Sequence, residues 1–227
     1  MKREFKINIL LGLFVASLIA ASLLGNKITT FFGITVAVGI FSYPITFLIA
    51  NIVLEAKGKE TVKNFILTGF ISMIAVLIFT VVSLKVPPAG RFAFSPEYQT
   101  VFSFSLRIII ASLTAFLSAQ VINMTLFKKM TSKLKHKFGW LRYNAAVIVS
   151  LFFDTLIFYF IAFYHVSPKF SALFILKLTI PYWLMKILFS LISTPFWYAG
   201  TRWLKVKDKP EEPPMKVAVP VSQPQKH

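Results

Sequence analysis

Four ionisable residues stand inside long apolar stretches of this chain: Arg107, Asp154, Lys177 and Lys186. Asp154 lies near the middle of "VSLFFDTLIFYFIAFY", residues 149–164. A carboxylate accepts hydrogen bonds and exchanges protons, a lysine ammonium donates three, and a guanidinium forks onto oxygens. In hydrocarbon each such group costs about 2.5–3.5 kcal/mol on insertion scales, so it faces protein or a water-filled cavity. Arg107 and Lys177 sit toward the ends of their stretches, where long side chains snorkel to the headgroups. Asp154 and Lys186 sit near mid-stretch and are able to pair. Two roles fit them: an ion pair that fixes helix packing, or a substrate or coupling site. Charge at mid-membrane marks solute pathways, which favours the second.

Helical spacing gathers further polar residues near these charges. Thr179, Tyr182, Trp183, Lys186, Ser190 and Ser193 recur every three or four residues and share one face. Ser150 is one turn from Asp154. Gln120 and Asn123 share a face, as do Asn51 and Glu55. Small hydroxyl residues alone would mean only close helix packing. Two aromatics, a lysine and several amides together suit a ligand with flat faces and polar edges.

The elements that position these residues follow from composition. Of the 227 residues, 56% are hydrophobic, 25 are phenylalanine and only 15% are charged. A soluble domain usually has about 25% charged residues to cover its surface. This chain therefore reads as an all-α polytopic membrane protein, a bundle of six transmembrane helices at about 7–25, 31–54, 64–84, 101–126, 143–164 and 171–200. The first stretch lacks a clear cleavage site and reads as a retained helix. Pro195 is placed to bend the last, and Trp197, Tyr198 and Trp203 resemble an interfacial aromatic belt. Residues 1–204 form the six-span domain. Residues 205–227, rich in Pro, Lys and Glu, read as a disordered cytoplasmic tail.

The net charge of +17 is distributed unevenly. With the N-terminus inside, internal segments hold Lys2, Arg3, Lys6, Lys57, Lys59, Lys63, Lys128, Lys129, Lys133, Lys135, Lys137, Arg142 and six more in the tail. External loops hold only Lys27, Lys85, Arg91 and Lys169. This positive-inside bias, with an even number of spans, places both termini in the cytoplasm. The basic loop "KKMTSKLKHKFGWLR" reads as a face near anionic lipid, so no nucleic acid is expected as a direct partner. With no cysteine and three scattered histidines (His136, His165, His227), metal and cofactor sites are not expected. No P-loop or HExxH motif is present, so any ATP drive must come from a partner. The competing readings are a secondary transporter acting alone or as a homo-oligomer, a substrate-binding membrane subunit energised by a separate ATPase, a membrane-embedded enzyme, and a scaffold. An enzyme would have only Asp154 and Lys186 to work with, and a scaffold has little reason to carry mid-span charges.

Four segments, in order, resemble the queuosine precursor transporter family (the YhhQ or VUT family). "YPITFLIANIVLEAKGKE" keeps the family's Pro44, Thr46, Phe47, Glu55 and Gly58 in register. "RIIIASLTAFLSAQVIN" supplies Arg107, Ala111, Ser112, Ala115 and Gln120. "LRYNAAVIVSLFFDTLIF" supplies Arg142, Asn144, Ser150, Asp154, Thr155 and Phe158. Lys186, Thr194 and Pro195 match the sixth span. The family's aspartates correspond here to Asn51 and Asn123, its Ser-Thr pair to Ala146 and Val147, and a glutamine to Leu151. The resemblance implies import of 7-deazaguanine bases or queuine for tRNA queuosine modification. It implies a small-molecule deazapurine as partner, with the bilayer as surroundings and no catalysis. Such a base shows two adjacent donors that a carboxylate accepts in a fork, a role open to Asp154 or Glu55. Tyr182 or Trp183 would stack on the ring. Arg107, Lys186, Gln120 and Asn123 would read the carbonyl side or the substituent. Asn51, Asn144 and Ser150 complete the expected site.

Overall fold

A computed structural model describes residues 3–25, 27–31, 34–134, 138–164 and 171–205. Its helices are α1 (Arg3–Leu24), α2 (Tyr43–Lys57), α3 (Lys59–Lys85), α4 (Ser95–Leu134), α5 (Gly139–Phe163) and α6 (Ala172–Lys205). Six segments among the described residues are helical, long and apolar enough to cross a bilayer. The expected bundle is thus borne out. The expected external loop at 165–170 and the expected tail beyond Lys205 lie outside the described residues. Lys205 itself is the last residue of α6.

The second span differs from its expected limits. Residues 31 and 34–37 are not helical: strands β1 (Ile28–Phe31) and β2 (Ile34–Ala37) pair antiparallel, Ile28 opposite Ala37 and Phe31 opposite Ile34. The segment is rich in β-branched residues, which favour a strand over a helix. A 3-10 turn, Val38–Phe41, follows, and α2 has only 15 residues, about 22 Å. Together the turn and α2 form a span of 20 residues. The fourth span overruns its limits in the other direction: α4 has 40 residues, about 60 Å, and projects beyond a hydrocarbon core of about 30 Å. α6 continues as one helix through Pro181 and Pro195. Each proline deprives the carbonyl four residues earlier of its donor, at Lys177 and Leu191.

The short helix is also the central one. Of the hydrophobic window of α2, 61% is buried, against 28–39% for the other five. Its neighbours reach it through small residues. Gly200 on α6 sits where an added Cβ would meet Ile52 Cδ1 at 2.5 Å. Gly58, at φ +84°, makes the one-residue link from α2 to α3, a conformation with little steric penalty only for glycine. Rings fill the remaining space: Phe14 meets Phe65 and Phe116 at 5.9 and 6.0 Å, and Tyr143 stacks on Trp197 at 5.4 Å. Lipid tails are as apolar as these side chains, so close packing rather than water exclusion holds the helices together. The outward side chains, Phe79, Leu173 and Phe196 among them, remain exposed to lipid.

At one end of the bundle the basic helix ends converge. Lys6 Nζ of α1 donates to the Trp203 carbonyl of α6 at 3.1 Å. Lys205 of α6 and Arg142 of α5 both reach Glu55 of α2.

The packing around Gly39 yields a test. A Cβ there would lie 2.5 Å from the Ala21 carbonyl oxygen, a backbone atom that no rotamer change can move. Gly39→Ala should destabilise the protein by about 1–3 kcal/mol. Gly12 has nothing within 4 Å of the same position, so Gly12→Ala should be neutral or stabilising through helix propensity. Thermal unfolding in detergent checks both. Equal melting temperatures for the two variants would show that the turn Val38–Phe41 does not pack on α1 as described.

Candidate functional site

Tyr43, Phe47, Asn51 and Glu55 recur every four residues and form one inward stripe along α2. Three of the four are polar. The bilayer core offers no water to satisfy them, so their partners must come from other helices.

At the first level, Tyr43 donates its hydroxyl proton to Asp154 Oδ1 at 2.5 Å. Lys186 Nζ donates to the other oxygen, Oδ2, at 2.7 Å and to Thr155 Oγ1 at 3.1 Å. The ammonium lies 5.1 Å from the Tyr43 ring centroid and 4.8 Å from that of Tyr182. Asp154 and Lys186 are 3% and 4% exposed, so the pair is shielded from solvent and lipid alike. Both carboxylate oxygens are thus engaged within the protein. The expected pairing of spans five and six is present, and Tyr43 adds α2 to it.

One level along, Asn51 Nδ2 donates to the Phe47 carbonyl at 2.9 Å and, over 3.4 Å, to Asn123 Oδ1 of α4. Asn51 Oδ1 has no protein partner, nor does either polar atom of the fully buried Gln120. An unsatisfied buried polar group costs about 1–3 kcal/mol. Groups left in that state call for an explanation such as a ligand or ordered water.

At the basic end, Glu55 Oε2 accepts from Arg142 Nη1 at 3.0 Å and Oε1 from Lys205 Nζ at 3.2 Å. Arg142 also donates to Thr131 Oγ1 at 2.9 Å and lies over the Phe127 ring. One carboxylate therefore ties α2 to α5 and α6, and the arginine extends the network to α4.

The remaining expected residues are placed elsewhere. Asn144 donates to the Trp140 carbonyl and to Thr194 Oγ1, both at 2.9 Å, and accepts from Ser190 and Thr194. Ser150 donates to the Ala146 carbonyl of its own helix at 2.6 Å. Trp183 donates its indole proton to the Ile148 carbonyl at 2.9 Å, which locks α6 to α5. Arg107 is exposed and caps the carbonyls of Ile161 and Tyr164 near the end of α5. Lys177 is exposed on α6. The structure thus divides the expected residues into several levels. Tyr43 is the residue that sequence reasoning missed. Its signal was its place eight and twelve residues before Asn51 and Glu55, on the same helical face.

Residues 37–200 match the family model described as "Putative vitamin uptake transporter". The chain is 27% identical over 198 residues to the "Probable queuosine precursor transporter" of Bacillus subtilis (strain 168), covering 86% of this chain and 85% of that protein. It is 25% identical over 154 residues to the "Queuosine precursor transporter" of Escherichia coli (strain K12), covering 68% and 67% respectively. No solved structure matches.

The first level yields a stability test. Asp154→Asn leaves the Lys186 ammonium buried without its counter-charge, and stability should fall by about 3–5 kcal/mol. Adding Lys186→Met removes the stranded charge and should recover most of the loss. Thermal unfolding of the parent, single and double variants in detergent checks this. A single variant as stable as the parent would show that the pair does not hold α5 and α6 together.

Proposed function

The chain belongs to the vitamin uptake transporter family, and we propose that it imports 7-deazaguanine queuosine precursors or queuine across the bacterial inner membrane, to feed tRNA queuosine modification. The observation that carries this reading is the uncharged set at mid-bundle. Asn51 Oδ1 and Gln120 Oε1 are acceptors, Gln120 Nε2 is a donor, and none has a protein partner. A guanine-like edge presents the complement: two adjacent N–H donors and one carbonyl oxygen. Gln120 would meet one donor and the carbonyl, and Asn51 the second donor. These atoms are sealed within the bundle, so loading requires the helices to part, as alternating access does.

Asp154 and Glu55 are slower candidates for first contact. Each has both oxygens engaged, and a base would have to displace Tyr43, Lys186, Arg142 or Lys205. In this reading the two charged levels close the path above and below the amide set, and opening one exposes the base to one side. The protein does no chemistry on its solute. The basic end faces the cytoplasm, as the positive-inside rule requires. Reporter fusions at Lys59 and Lys133 should therefore read cytoplasmic, and a fusion at Ala89 external. An external reading at Lys133 would reverse the orientation.

Gln120→Leu separates this site from a packing role. It removes two unsatisfied polar atoms, so the fold should be as stable as the parent or more so. The same change leaves the base's polar edge unpaired, and uptake should fall by about ten- to a hundredfold. The readout is tRNA queuosine in a strain that neither makes queuosine nor carries its own transporter, with each base supplied separately. Undiminished uptake by a stable Gln120→Leu variant would remove Gln120 from the site. Uptake by the purified parent in liposomes would separate an autonomous transporter from a subunit that needs an ATPase.

A further inference from the structure

At the basic end, α2, α5 and α6 border an open cavity of about 530 Å³ whose wall includes Glu55, Arg142, Trp197, Thr201, Arg202 and Lys205. Three cations face one carboxylate there, and that carboxylate is already held by Arg142 and Lys205. Two further donors stand unused. The Trp197 indole N–H and the Thr201 hydroxyl, 2% and 8% exposed, have no hydrogen-bond partner in the protein. The Tyr198 hydroxyl accepts from the Trp140 backbone N–H at 2.9 Å, which leaves its own proton to donate. Gly139, the first residue of α5, also lines the cavity, so the positive end of a 25-residue helix dipole points toward it. The N–H groups of Trp140, Leu141 and Arg142 are already bonded, so the helix contributes potential there rather than these donors.

Among the described residues the inventory is one-sided: excess positive charge, surplus donors, and a single carboxylate that is already neutralised. We propose that this cavity is a binding site for a phosphate group, either an anionic lipid headgroup or a free phosphate. Phosphate oxygens accept the forked donors of arginine and the hydroxyl and indole protons together. Basic pockets between transmembrane helices near the cytoplasmic surface hold anionic headgroups in this manner. The exposed Tyr198 and Trp203 suit headgroup depth, whereas Trp197, expected in the same aromatic belt, is buried against Tyr143. The exposed side chain of Arg202 is placed to fold over the anion, and Lys205 is shared between the anion and Glu55. The site is distinct from the amide set around Asn51 and Gln120, and its occupancy does not depend on which solute is carried.

The test uses the full-length protein purified in neutral detergent. One arm titrates inorganic phosphate. The other titrates phosphatidylglycerol in mixed micelles against phosphatidylcholine, whose headgroup has no net charge. Thermal unfolding and tryptophan fluorescence are read in both. The parent should show a saturable rise in melting temperature and a fluorescence change, the latter abolished by Trp197→Phe. The double variant Thr201→Val with Arg202→Gln should weaken the apparent affinity by about tenfold or more. Its melting temperature without ligand should match the parent, since Thr201 loses no hydrogen bond. A response to phosphatidylglycerol alone assigns the site to lipid, and a response to inorganic phosphate assigns it to the free ion. Silence in both arms overturns the proposal. So does a response that the double variant retains in full, because that would be diffuse attraction to the basic surface.

Discussion

Hydrocarbon supplies no hydrogen bonds, and that constraint governs how this bundle is assembled. α2 is the most buried of the spans, yet its inward stripe carries a phenol, a carboxamide and a carboxylate. Each must find its partner on another helix or remain unsatisfied. Asp154 of α5 answers Tyr43, Asn123 of α4 answers Asn51, and Arg142 of α5 with Lys205 of α6 answers Glu55. The positions of α4, α5 and α6 around α2 are therefore set by polar matching as much as by shape. Apolar packing between lipid-facing helices has many near-equivalent registers. Three polar levels on one helix leave few.

The two charged levels are not equivalent. Asp154 and Lys186 are both shielded, so their attraction is hardly screened and neither side chain has water as an alternative. At the other level, the Lys205 side chain is 49% exposed, and its contact with Glu55 is the kind of ion pair worth about 0–1 kcal/mol. Arg142, only 3% exposed, holds the shielded side of the same carboxylate. Glu55 thus has one firm partner and one that exchanges readily with water or with another anion. The weaker closure thus lies at the basic end, while the stronger pair joins α5 to α6 deeper inside.

Much of this was legible from residue types alone. Six apolar stretches of sufficient length announce the spans, and Asp154 and Lys186, alone near mid-stretch, announce each other. The grouping of Thr179, Tyr182, Lys186 and Ser190 on one buried face followed from their spacing. Other features were not legible. The paired strands at 28–31 and 34–37 lie in a segment as apolar as a helix, and hydropathy does not distinguish a strand from a helix there; only the β-branched residues do. The centrality of α2 was hidden because a lipid-facing helix and a buried one are apolar on all sides, so the usual amphipathic signal is missing. Tyr43 was missed for a related reason. In the expected span at 31–54 it stands among apolar neighbours with no charged residue one turn away, and only the fold shows that it points inward to a carboxylate.

The middle level gains its meaning from a substitution of charge by shape. In the resembling family pattern the positions of Asn51 and Asn123 hold aspartates. In this chain the two side chains approach to 3.4 Å. Two carboxylates at that separation could not both ionise, and would share a proton or repel. Such a level would titrate, and its affinity for a solute would follow its protonation. Two amides in the same place donate and accept without titrating. Discrimination at this level must then rest on the pattern of donors and acceptors.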